Sequence, residues 1–149
     1  MYRFISLKAI TKLITMKQII VLLSFIISVF TANAQTNKFQ LSSHILDIST
    51  GQGAPDVKVS LKKWSHDKWT NVQDSKTDEN GRIKELLAYS TTNNDGEYKL
   101  VFDTYPYFKN KNIESIYPYI EIVFTIKGNN HYHIPITVTP FGYSTYRGN

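Results

Sequence analysis

The stretch from His131 to Asn149 reads HYHIPITVTPFGYSTYRGN and ends the sequence. Ile134, Ile136, Thr137, Val138 and Thr139 make its first half β-branched, and Pro140 interrupts it. Such side chains suit a pleated, half-buried surface, so the spacing predicts a strand, a tight connection around Phe141-Gly142 and a second strand. Successive strand residues point to opposite faces. His131 and His133 therefore share one face and Tyr132 takes the other. A frayed terminus would be polar; this one is aromatic and β-branched, which implies packing.

The same alternation runs upstream. Phe39–Ile48 reads as a first strand, with Leu41, Ser43 and Ile45 on one face and Ser42, His44 and Leu46 on the other. Residues 57–64 alternate Val57, Val59 and Leu61 with Lys58, Ser60 and Lys62, and a hairpin around Ser65-His66-Asp67-Lys68 leads into a weaker strand over 69–75. Asn80-Gly81 and Asn93-Asn94-Asp95-Gly96 are turns by composition. Residues 97–104 and 119–126 are further strands, and the break between them, Tyr105–Ser115, has room for one short helix. Seven to eight short strands at this spacing, with one helix, predict an all-β, two-sheet β-sandwich.

Residues 19–30 (IIVLLSFIISVF) are apolar, with Lys17 before them and Thr31-Ala32-Asn33-Ala34 after. A membrane span needs about 20 apolar residues, so this run is too short and fits the core of a secretory signal. Ala32 and Ala34 supply the small residues of a cleavage site. The expected organisation is a signal peptide over 1–34, beginning at Met1 or at Met16, and one domain over 35–149, exported to the periplasm with no membrane association of the mature form. Removing Arg3, Lys8, Lys12 and Lys17 lowers the basic residues from 17 to 13 against 12 acidic ones, so the net charge falls from +5 to +1. The basic balance belongs to targeting and gives no basis for nucleic-acid binding. Cysteine is absent from the sequence, which excludes a thiol nucleophile and cysteine-based zinc sites.

Histidine is the natural general base near neutral pH. Each candidate also has an ordinary reading. His44, in mid-strand among apolar neighbours, fits a hydrogen-bonded structural histidine. His131 and His133 could ligate a metal, with His44 as third ligand. Arg82, after Asn80-Gly81, and Arg147 could be solvated charges.

Three blocks resemble the transthyretin-related 5-hydroxyisourate hydrolases: Leu41-Ser42-Ser43-His44-Ile45-Leu46-Asp47 with Thr50-Gly51 and Ala54-Pro55; Asn80-Gly81-Arg82; and the terminal stretch, whose Tyr146-Arg147-Gly148 matches the family's Tyr-Arg-Gly-Ser ending. The resemblance implies a transthyretin-like sandwich, a homotetramer, and a cleft between dimers that hydrolyses 5-hydroxyisourate without metal or other cofactor. It implies His44, Arg82 and His133 as catalytic residues, and His44, Arg82, Tyr146, Arg147 and Gly148 as substrate-binding residues. His131 matches a histidine to which the pattern assigns no chemistry. Asn149 departs from the family's terminal serine. A small-ligand carrier on the same sandwich and a β-sandwich interaction module are the alternatives, and both leave His44, Arg82 and the Tyr-Arg-Gly ending without a purpose.

Overall fold

A computed structural model describes residues 38–148. The expected signal segment and Asn149 lie outside the described residues. The strands are β1 (Phe39–Asp47), β2 (Gln52–Gly53), β3 (Lys58–Ser65), β4 (Lys68–Lys76), β5 (Arg82–Ala88), β6 (Gly96–Asp103), β7 (Ile120–Ile126), β8 (Tyr132–Thr139) and β9 (Gly142–Thr145); one helix, α1 (Tyr105–Lys109), sits between β6 and β7. They form two sheets. One runs β2-β1-β8-β9 with β5 also on β1, and the other runs β4-β3-β6-β7.

Alternation explains the core between them. Leu41 and Ile45 of β1, Val59 and Leu61 of β3, Leu100 and Phe102 of β6, and Ile136 and Val138 of β8 all have 0% exposure. The chain can therefore bury one face of each strand and leave the other polar. β1 is the organising strand: it pairs in parallel with β8 and antiparallel with β2 and β5. Parallel pairing joins the two ends of the described domain, and everything between them is the long crossover that such pairing requires.

The expected sandwich and hairpin are present. His66 and Asp67 both take positive φ, 52° and 57°, as a two-residue hairpin loop needs. The expected helix is a single turn, started by Pro106 and burying Tyr107 and Phe108. Nine strands are found among the described residues, one more than the upper expectation. β2 is two residues long. β5 had no clear alternation because Leu86 and Leu87 are adjacent and both buried, and its pairing with β1 carries two register shifts.

Candidate active site

The polar face of the β1 sheet gathers residues from the three sequence blocks. Arg82 is the cross-strand partner of His44, and His133 is the partner of Ser42 on the other side of β1. Facing partners project to the same side of a sheet, and so do residues two apart on a strand. Ser42, His44, Arg82 and His133 thus share a face without any loop rearrangement. With His131, Ile83 and Lys84, three of them (Ser42, Arg82 and His133) line a cleft of about 370 Å³. A larger hollow of about 610 Å³ lies beside α1 between Pro55, Lys58, Asp103 and Lys111, but no histidine lines it.

The Asn80-Gly81 turn sets the position of two of these groups. Gly81 has φ of 74°, and an added Cβ would lie 2.5 Å from the Ile45 carbonyl oxygen. The Asp78 carboxylate accepts from the backbone N–H groups of Asn80 (2.9 Å) and Arg82 (2.8 Å), closing the turn. The Ile45 N–H then donates to the Gly81 carbonyl at 2.8 Å. So docked, the turn presents the Asn80 carbonyl to His44, whose Nε2 donates to it at 3.1 Å. A carbonyl can only accept, so neutral His44 keeps its lone pair on Nδ1.

Electrostatics favour the neutral form of both histidines. For His44, burial is the main cause of a pKa below the ordinary 6.5, and the Arg82 charge adds to it; the Asn80 carbonyl and Asp78 oppose it. For His133, burial again leads, followed by the charges of His44, Arg82 and His131. Desolvation and like charge both penalise an imidazolium. The pair is therefore suited to accept a proton near neutral pH.

The C-terminal segment divides. The Gly148 N–H donates to the His133 carbonyl at 2.8 Å, forming an isolated antiparallel bridge. A Cβ on Gly148 would lie 2.5 Å from His133 Cδ2, so only glycine permits this approach. Arg147 does not join the histidines within one protomer. Its guanidinium lies over the Tyr132 ring, 4.4 Å from the centroid, and Tyr132 belongs to the buried side of β8. Tyr146 is 59% exposed. His44, Arg82, His133 and Gly148 are thus brought together, whereas Arg147 is drawn onto Tyr132 instead.

Ser42 was not singled out by the sequence reading, although alternation placed it on the His44 face. Its hydroxyl lies 2.9 Å from His131 Nε2 and 2.9 Å from His133 Nδ1. Lys84 was also missed, hidden in the strand that lacked alternation. As a metal ligand His131 would give up one of its two ring-nitrogen hydrogen bonds, that of Nε2 to Ser42 or that of Nδ1 to the Phe39 carbonyl 3.0 Å away. Among the described residues no group of three or more histidine, cysteine or acidic side chains is arranged to hold a metal ion.

Known proteins repeat this domain. A probable 5-hydroxyisourate hydrolase of Caenorhabditis elegans is 45% identical over 109 residues, 72% of this chain and 80% of its own. The 5-hydroxyisourate hydrolase of Mus musculus is 38% identical over 116 residues, 76% of this chain and 98% of its own. Among solved structures, the Klebsiella pneumoniae 5-hydroxyisourate hydrolase has a TM-score of 0.61 at 35% identity, covering 73% of this chain and 92% of its own. Sea bream transthyretin in complex with thyroxine has a TM-score of 0.68 at 28% identity, covering 73% of this chain and 94% of its own. The HIUase/Transthyretin family model matches residues 41–148, from Leu41 within β1 to Gly148, which bridges to His133, and the chain belongs to that family.

Proposed function

We propose that this protein is a 5-hydroxyisourate hydrolase acting in urate degradation, with His44, Arg82 and His133 as its catalytic residues. The observation that carries the reading is the shared face on which Arg82 stands opposite His44 and His133 opposite Ser42. The substrate is a planar, polar bicycle derived from urate. Water adds to its lactam carbonyl while a neutral histidine takes the water's proton. The carbon–nitrogen bond then breaks, and the proton goes to the departing ring nitrogen. One N–H and one carboxylic acid are formed, and the acid releases its proton to solvent, giving 2-oxo-4-hydroxy-4-carboxy-5-ureidoimidazoline as the carboxylate. Arg82 is exposed at the cleft wall, where its guanidinium can donate two hydrogen bonds to carbonyl oxygens and stabilise the developing oxyanion. No cofactor is required for these steps.

The reading extends to assembly and location. The cleft opens on a sheet face where, among the described residues, Ser42, His44, Arg82 and His133 stay partly or fully exposed, which suits a site completed at an interface in a homotetramer. Tyr146, Arg147 and Gly148 border substrate in that assembly. Transthyretin shares the sandwich, so the fold alone fits a carrier equally; two histidines beside Arg82 whose pKa values are lowered by burial fit catalysis. The apolar run and Ala32-Asn33-Ala34 support export of the mature chain, with the periplasm as its destination.

Mixing the purified protein with freshly generated 5-hydroxyisourate decides between these readings. A hydrolase removes the ultraviolet absorbance of many equivalents of substrate per protomer, faster than buffer. Stoichiometric binding without loss of absorbance identifies a carrier. Light scattering of the active fraction should give the mass of four protomers, and an active monomer would refute the interfacial site.

A further inference from the structure

The hydrogen bonds around Ser42 admit one proton assignment when the imidazoles are neutral. The Phe39 carbonyl can only accept, so His131 carries its proton on Nδ1, 3.0 Å away. His131 Nε2 is then a bare acceptor, and the Ser42 hydroxyl must donate to it at 2.9 Å. A hydroxyl has one proton. Having spent it on His131, Ser42 can only accept from His133 Nδ1, also at 2.9 Å. That nitrogen must carry a proton, which leaves the lone pair of His133 on Nε2.

We propose that the chain Phe39 carbonyl–His131–Ser42 fixes the tautomer of His133, so that its Nε2 is bare toward the cleft. Ser42 and His131 are positioning residues: they act through His133 and do not touch the reacting atoms. The claim rests on the reading of His133 as a base and goes beyond it by naming which nitrogen works and what holds it.

Geometry around the ring agrees. His133 lines the cleft. Its Cδ2 edge lies against Gly148 and its Nδ1 against Ser42, so the ring cannot flip without losing one contact and meeting the other. Among the described residues, Nε2 has no hydrogen-bond partner within the protein. The relay also explains why two histidines stand at i and i+2 when one does the chemistry. If His131 bore a second proton, Ser42 would accept from it and donate to His133, and the bare nitrogen would become Nδ1. A structural histidine pair would carry no such requirement.

The test uses full-length protein labelled with ¹⁵N in its histidine rings. The nitrogen spectrum should show His133 with a protonated Nδ1 and a bare Nε2, and Ser42→Ala should abolish that bias. Turnover in Ser42→Ala should fall about 10- to 100-fold, the usual cost of removing a partner that orients a functional histidine, with KM little changed. Ser42→Thr keeps the hydroxyl and should restore both the spectrum and the rate. A wild-type spectrum with the proton on Nε2 overturns the proposal, as does a folded Ser42→Ala variant with full turnover. If Ser42→Ala fails to fold, the wild-type spectrum and the Ser42→Thr rate decide it. If the wild type has no hydrolase activity, the functional reading fails separately, because the ring-nitrogen pattern is read without substrate.

Discussion

Replacing Gly148 with alanine should disable the site while leaving the fold almost untouched. The new Cβ would sit 2.5 Å from His133 Cδ2 and 3.2 Å from Cγ, against about 3.4 Å for ordinary contact. Relief therefore needs a displacement close to 1 Å. The glycine's φ is outside the left-handed region, so backbone strain plays no part. Nor is the ring a flexible side-chain end: Ser42 holds its Nδ1, and its backbone carbonyl is bridged to Gly148. Either the imidazole moves or the bridge breaks. A misplacement of about 1 Å in a catalytic group can cost about 10²-fold in rate. Breaking the bridge costs about 1 kcal/mol, the net worth of one hydrogen bond. In a domain of this size that lowers Tm by roughly 5 °C. The assay is the initial rate of 5-hydroxyisourate loss beside a thermal melt. A variant with the wild-type rate would show that the bridge does not position His133, and one that fails to fold would show that its role is structural.

Four further outcomes can be measured, three of them set by the same geometry and one by the N-terminal sequence. Because burial and neighbouring charges hold the pKa values of His44 and His133 below 6.5, their neutral forms persist as pH falls through that value. The rate should reach half its plateau only below pH 6.5, and a half-maximal rate above 6.5 would contradict the assignment. The same shifts contribute folding stability that is fully present above pH 6.5 and is lost as pH falls through the lower folded-state values. Gly81→Ala would force a Cβ to within 2.5 Å of the Ile45 carbonyl at a φ of 74°, so urea denaturation should show a loss of at least about 2 kcal/mol; an unchanged midpoint would mean that the turn is not docked on β1. Sequencing the exported protein from its N-terminus should begin at Gln35, and recovery of uncleaved protein from the cytosol would refute the signal assignment.

Much of this architecture could be read from alternation. β1, β3, β6 and β8 each bury every second side chain, and the turns between them carry Asn-Gly or a two-residue loop. β5 escaped because Leu86 and Leu87 are neighbours that both face inward, which only its irregular pairing with β1 permits. β2 is too short to have a period. The site was legible only as three separate blocks, since no periodicity reveals that β1 lies between β5 and β8. That order is what sets Arg82 and His133 on either side of the Ser42–His44 face. The serine had no signal of its own, because its role arises from a parallel pairing about 90 residues distant in sequence. The stacking of Arg147 on Tyr132 was equally hidden: β9 ends at Thr145, and strand alternation does not reach Arg147.

On the proposed mechanism, hydrolysis of 5-hydroxyisourate depends on the neutral pair His44 and His133 and on no metal. That dependence is tested most directly by the rate of substrate loss in chelator-treated protein, with His44→Asn and His133→Asn measured beside the wild type. The wild-type rate should be undiminished in chelator, and each folded variant should be slower by roughly 10²-fold or more, the scale of general acid–base catalysis. A wild-type rate no faster than buffer, or one lost in chelator and restored by zinc, would contradict it.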